Sequence, residues 1–186
     1  MRKLVLGLAA RLSMTACLSL LVLSMLAFGA AAHGPSRLKT EQTVKLNATP
    51  DEVWAVIGTF DDMGWYPGVT SIEATGNEKG ATRIRKMEDG TVIEEELLKL
   101  DPAKYALSIR YTVDNLDAVK ATNYASHITL KDEGGKALLN WKGAFYRAYP
   151  NNDPPADLND EASSASVMAV HQKGIDALVA RFGTAE

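Results

Sequence analysis

The chain has 186 residues with no internal repeat and no low-complexity segment, a length that suits one domain with one sizeable core. Its acidic balance, 20 Lys and Arg against 23 Asp and Glu, argues against nucleic acid or an anionic membrane as the partner and is compatible with a basic protein partner. A single cysteine, Cys17, excludes a disulfide framework and leaves stability to packing.

Arg2 and Lys3 precede a long apolar stretch that ends at Ala30-Ala31-Ala32, small residues of the kind a signal peptidase reads. Residues 1–32 are therefore expected to be a cleaved leader, with His33 as the mature N-terminus. A retained anchor fits less well, because Arg11 splits the apolar run into pieces shorter than the roughly 20 residues a spanning helix needs. Lipidation at Cys17 also fits less well, since the apolar segment continues past it. Cleavage would leave 17 basic against 23 acidic residues, a net charge of −6, and no cysteine.

Residues 33–40 are short, polar and proline-bearing, and read as a flexible arm. The domain is expected over 41–186. Val44 and Leu46 begin a period-2 pattern. Thr49, Pro50 and the acids Asp51 and Glu52 then make a helix start, with Val53, Trp54, Val56 and Ile57 as the buried side. Thr59 to Gly68 reads as a short irregular or second helical segment carrying Met63, Trp65, Tyr66 and Pro67. Five strands follow: Gly80–Met87, Thr91–Leu100, Lys104–Val113, Ala121–Lys131 and Lys136–Arg147, separated by Glu88-Asp89-Gly90, Asp101-Pro102, Asp114-Asn115 and Glu133-Gly134-Gly135 turns. The clearest alternation is Tyr105, Leu107, Ile109, Tyr111 and Val113, one face for core and one for water. Ser164–Phe182 places Val167, Met168, Ile175, Leu178 and Phe182 at helical spacing. Pattern alone supports an α+β domain with a covered antiparallel sheet.

Alternation also sorts the candidate site residues. Tyr124, Ser126, Ile128 and Leu130 share one row, and His127 falls on the other, toward solvent. Leu139, Trp141, Gly143 and Phe145 form the apolar row of the next strand, with Trp141 and Phe145 expected as cavity wall or as ordinary packed core. Arg83 and Arg85 share a face, as do Ile93, Glu95 and Leu97. Inward placement would bury Arg83 against Glu95 and let the pair orient a polar ligand group, because a lone buried charge is too costly to persist; outward placement would make a surface ion pair. His171 sits three residues from Met168 on the helix stripe, either touching a ligand or satisfied in the core. Tyr146, Arg147 and Tyr149, with prolines and Asp153 in the loop that follows, are residue types that dominate partner contacts, or else pack and cap the loop.

The run Trp141 through Glu161, together with Trp65-Tyr66-Pro67 and Gly80-Ala81-Thr82-Arg83, resembles the MxaD family of periplasmic proteins from methanol-oxidising bacteria, within the SRPBCC superfamily of polyketide-cyclase-like, START and Bet v 1-related domains. The resemblance extends from His33 to the end. It implies a helix-grip fold: a curved antiparallel sheet wrapped around a long C-terminal helix, with two short helices after the first strand. It further implies a non-catalytic accessory role beside methanol dehydrogenase and its cytochrome c, with no cofactor. A carrier or sensor of a small hydrophobic ligand is the alternative, and a small cyclase or dehydratase the third. Ligand contacts are expected at Trp65, Arg83, Glu95, Tyr111, Tyr124, Ser126, Trp141, Phe145, Met168 and His171.

The sequence contains no phosphate-cradling glycine loop, zinc-type spacing or nucleophile elbow. A copper site at an N-terminal His33 lacks visible further ligands. The oxygen-rich segment Asn151–Glu161 lacks the glycine of a calcium loop and is better read as capping a helix through Asp157 or Asn159. N-terminal sequencing of the exported protein is expected to read His-Gly-Pro; a lipidated Cys17 species or an uncleaved membrane form would contradict the leader reading.

Overall fold

The computed structural model describes residues 34–185. The expected leader over 1–32 and the expected terminus at His33 lie outside the described residues. Seven strands and two α-helices follow in the order β1 (Leu38–Leu46), α1 (Pro50–Ile57), β2 (Val69–Ala74), β3 (Thr82–Met87), β4 (Val92–Asp101), β5 (Ala106–Tyr111), β6 (Ala121–Asp132), β7 (Ala137–Arg147) and α2 (Asp160–Phe182). All pairings are antiparallel in one sheet ordered β1-β7-β6-β5-β4-β3-β2. β2 to β7 are thus a meander, and the first strand closes onto the last while α2 packs across β1, β7 and β6. This is the helix-grip architecture of the α+β class.

Local chemistry accounts for the boundaries. At α1 the Thr49 hydroxyl accepts from Glu52 N–H (3.3 Å) while the Glu52 carboxylate accepts from Thr49 N–H (2.8 Å), a reciprocal cap reinforced by Pro50. Gly90 turns β3 into β4 with φ +86°, and Asp89 accepts from Thr91 N–H (2.9 Å). Asn159 caps α2 by accepting from Ala162 N–H (2.8 Å), with Asp160 and Glu161 in the first turn.

Two expectations are corrected and one strand is added. Only one short helix follows β1: Thr59–Gly68 is a chain of turns, held by Tyr66 N–H donating to Met63 O (2.9 Å). The arm is shorter than expected, because Leu38, Lys39 and Thr40 already pair with Phe145, Ala144 and Gly143. β2 gave no period-2 signal, being an edge strand whose residues are exposed or half-buried.

The core divides into two packed groups. One gathers Leu46, Val53, Ile57, Leu139, Trp141, Ile175 and Leu178 below α1; the other gathers Phe60, Leu97, Ile109, Tyr111, Tyr124, Phe145 and Val167. α2 approaches the sheet at Gly174, where an added methyl would stand 2.6 Å from Trp141 Cζ3 and 2.8 Å from Cη2. Gly174→Ala would gain about 1 kcal/mol of helix propensity. Overpacking against a buried, inflexible indole costs roughly 1–3 kcal/mol and should exceed that gain. Urea unfolding is expected to show a less stable variant; a more stable one would mean that Trp141 moves aside.

Candidate functional site: a buried arginine–glutamate cluster between cavity and vestibule

The ladder of β3 on β4 sets Arg83 directly opposite Glu95, and that of β4 on β5 sets Glu95 opposite Tyr111. Because alternate residues share a face, Arg85 joins the same inward row. All three charged side chains are nearly inaccessible, at 2–3% relative exposure. Arg83 donates from Nε to Glu95 Oε2 (2.8 Å) and from Nη1 to Phe60 O (2.6 Å), and its guanidinium lies 4.3 Å from the Phe60 ring centroid. Arg85 forks onto the same carboxylate, with Nε to Oε2 and Nη2 to Oε1 both at 3.0 Å, and Nη2 also reaches Tyr111 OH at 3.4 Å. Burial drives the Glu95 carboxyl upward, but Arg85 and Arg83 outweigh it and hold the group below its ordinary range. It is ionised and fully engaged.

Behind this cluster a second network ties α2 to the sheet. Tyr124 OH and His171 Nε2 share a hydrogen bond of 2.7 Å, Trp141 Nε1 donates to Ser126 Oγ (2.7 Å), and the His171 ring stacks on Trp141 at 4.9 Å and 17°. His171 Nδ1 has no partner among the described residues. Burial alone lowers its pKa to about 4, so the ring is neutral at neutral pH. Burial likewise raises the phenols of Tyr66, Tyr111 and Tyr124.

The space between sheet and helix is an inner cavity of about 40 Å³, lined by Trp65, Arg83, Glu95, Tyr111, Tyr124, Ser126 and Trp141 together with Tyr66, Arg85 and Val170. That is room for about one water molecule. Tyr66, Arg85, Tyr111 and Val170 also line a half-open vestibule of about 270 Å³, continued by Met87, Ile93, Ala118, Ala169 and Lys173. These four residues form a partition. Tyr66 OH donates to Val170 O (2.9 Å) across it.

Seven of the ten expected ligand contacts therefore meet around one cavity. Three do not. Phe145 is fully buried in the core group with Val119 and Val167 and does not line the cavity. Met168 is 43% exposed: the buried line of α2 runs Ser163, Val167, His171, Gly174 and Leu178, and Met168 lies one residue past it. His171 stands one layer behind, acting on the cavity through Tyr124 and Trp141. His127 is half-buried on the outer face, its Nδ1 2.6 Å from Ser108 Oγ.

Of the residues expected to meet a partner, Arg147 is turned inward. It donates to Tyr149 O (2.7 Å) and Asn151 O (2.7 Å) and pairs with Asp160 (3.3 Å), so it braces the loop before α2 instead of presenting its fork. Tyr146 is half-buried with the Arg37 guanidinium 5.9 Å from its ring centroid, Tyr149 is half-buried, and Asp153 is exposed. Among the described residues no cluster of three or more His, Cys, Asp or Glu could hold a metal ion, and no helix is long and apolar enough to cross a membrane. Arg85 and Tyr66 were the overlooked site residues; Arg85 lies two residues from Arg83 on the same face, and Tyr66 stands inside an aromatic motif.

A curved sheet gripping a long helix, with a polar cluster at the mouth between them, defines a Bet v 1- and START-like ligand-binding fold. The chain belongs to the family described as Polyketide cyclase / dehydrase and lipid transport, which matches residues 37–183. No curated protein matches it. Among solved structures, the Bacillus cereus protein XoxI is 24% identical with a TM-score of 0.65 over 77% of this chain and 94% of its own. An uncharacterised Bacillus thuringiensis protein is also 24% identical with a TM-score of 0.65, over 78% and 98%. Norcoclaurine synthase from Thalictrum flavum, in complex with dopamine and hydroxybenzaldehyde, is 13% identical with a TM-score of 0.58 over 79% and 88%. At these identities the likeness concerns the fold.

Because His171 is held neutral down to about pH 4, while an unfolded histidine titrates near 6.5, the unfolded state takes up the proton first as pH falls. The contribution of His171 to stability is complete above pH 6.5 and is lost progressively down to about 4, on the order of 3 kcal/mol. Thermal midpoints measured from pH 7 to 4 are expected to fall, and the fall should be shallower in His171→Gln. Parallel profiles would place the proton uptake elsewhere.

Proposed function

We propose that the protein binds a small, largely apolar molecule at the mouth of the grip and carries or senses it without converting it, acting as an exported accessory factor of methanol oxidation. The observation that carries the binding half is that the inner cavity and the vestibule adjoin, with Tyr66, Arg85, Tyr111 and Val170 lining both. The inner cavity alone is far too small for a ligand. With the vestibule, the combined space approaches the lower end of the roughly 300–1,000 Å³ typical of ligand sites. Apolar surface from Met87, Ile93, Ala169 and Val170 faces polar groups from Arg85 and Tyr111, the usual division of labour in a small-molecule site.

Binding is favoured over turnover by the chemistry of the wall. A general acid or base needs a pKa near the working pH and reach to the substrate. Glu95 is ionised and saturated by two guanidiniums, His171 is neutral and enclosed, and the phenols titrate above their usual range. The Thalictrum synthase has this fold with aromatic molecules bound, so the fold accommodates both ligands and enzymes and does not itself decide between them.

The export and methanol-oxidation half rests on the leader-like residues 1–32 and on the resemblance of Trp141–Glu161 to the MxaD family. Partners on that reading are methanol dehydrogenase and its cytochrome c, met through the exposed acids of the loop before α2, Asp153 among them. Native mass spectrometry of protein isolated from its own periplasm is expected to show an increment from a bound small molecule that disappears on denaturation. Ala169→Trp, placed at an exposed vestibule position, should fold normally and lack the increment. Wild-type protein that carries nothing and gains nothing from periplasmic extract would overturn the binding reading. Absence of methanol dehydrogenase from cross-linked periplasmic complexes would overturn the accessory one.

A further inference from the structure

The charges of the partition do not balance. Arg83 and Arg85 share one buried carboxylate, so the cluster carries a net positive charge at 2–3% exposure. The remaining carboxylates of the two spaces, Asp62 at the cavity and Asp89 and Asp117 at the vestibule, are all exposed and solvated. Each nitrogen of Arg83 has an oxygen partner: Nε and Nη2 meet Glu95, and Nη1 meets Phe60 O. The same is not true of Arg85. Its Nη1 finds no oxygen among the described residues, only the Met87 sulfur at 4.0 Å, on the vestibule side. A second cation, Lys173, lines the same hollow, and Arg85 and Lys173 lie 5.6 and 5.8 Å from the Tyr66 ring centroid.

Buried guanidinium donors without an acceptor are costly, and a net buried charge more so. A carboxylate seated in the vestibule would relieve both, accepting from Arg85 Nη1 while its apolar body lies against Met87, Ile93, Ala169 and Val170. We infer that the vestibule is selective for small organic monoanions, a carboxylate on a compact apolar or aromatic body, with Arg85 as the anion contact. The inference rests on the ligand-binding reading above and narrows it to a chemical class.

Benzoate and benzyl alcohol, nearly identical in shape and differing in charge, are the probes. Titrated by NMR into the wild-type protein, benzoate is expected to bind at least about tenfold more tightly, the range of a charge-assisted hydrogen bond. It should also shift the Arg85 Nε–Hε resonance, which benzyl alcohol should leave in place. In Arg85→Gln, which keeps the Arg83–Glu95 pair, the two probes should bind alike. Equal binding of the two probes to wild-type protein would overturn the anion inference while leaving a ligand site in place. A benzoate preference that leaves the Arg85 resonance unmoved, or survives in Arg85→Gln, would overturn the assigned contact. Binding of neither probe, nor of naphthalene as a neutral apolar control, would overturn the ligand-binding reading together with the inference.

Discussion

The Glu95 carboxylate, held by two arginines on the inner face of the sheet, is the constraint around which the rest of the site is arranged. Removing one partner from a buried ion pair typically costs about 3–5 kcal/mol, because it strands the other charge. The three side chains are therefore interdependent. The apolar core is gathered in two groups, one below α1 and one around Phe145, with Trp54 and Met87 packed against both. The inner cavity lies beside the arginine–glutamate cluster and is bounded on the helix side by Val170.

α2 is held to the sheet by directional contacts as well as by the buried apolar residues Val167, Ile175 and Leu178. Its buried line includes Ser163, His171 and Gly174, and each has a specific counterpart: Ser163 Oγ accepts from Ala148 N–H, His171 meets Tyr124 and Trp141, and Gly174 makes room for the Trp141 ring. Tyr66 adds a hydrogen bond from the loop before β2 to the helix backbone at Val170. Buried polar contacts of this kind define one arrangement of helix on sheet, because any other leaves donors unpaired. A wall so well satisfied is rigid and chemically quiet. Recognition then falls to Arg85, the buried cation whose Nη1 finds no oxygen, in the wall shared by the inner cavity and the vestibule.

The loop from Tyr146 to Asn159 shows how residue type and residue role diverge. Arginine and tyrosine are common at interfaces, yet Arg147 uses its whole fork to gather the loop carbonyls and Asp160 against the start of α2. The exposed surface of the loop is left to acids such as Asp153 and Asp157.

The sequence by itself determined the α+β class, the five strands from β3 to β7 to within a residue or two, the long terminal helix, the Thr49–Glu52 cap and the alternating rows that carry Arg83, Glu95, Tyr124, Ser126 and Trp141, while leaving open whether the Arg83 and Glu95 rows face inward. Each of these follows from local periodicity or from turn chemistry, which a linear chain displays. It did not disclose β2, whose edge position leaves no buried row to alternate. Nor did it place Met168 and Phe145 off the cavity, because spacing tells which face a side chain takes but not what stands opposite it along the length of the element. Only the tertiary structure decided that the Arg83 and Glu95 rows face inward, that the chamber is small, that Arg85 shares Glu95 with Arg83 while its Nη1 meets only the Met87 sulfur, and that Tyr66 lines both cavity and vestibule. Those are outcomes of how strands 10 to 26 residues apart and a helix 104 residues from Tyr66 meet in space, where volume and charge balance are settled together.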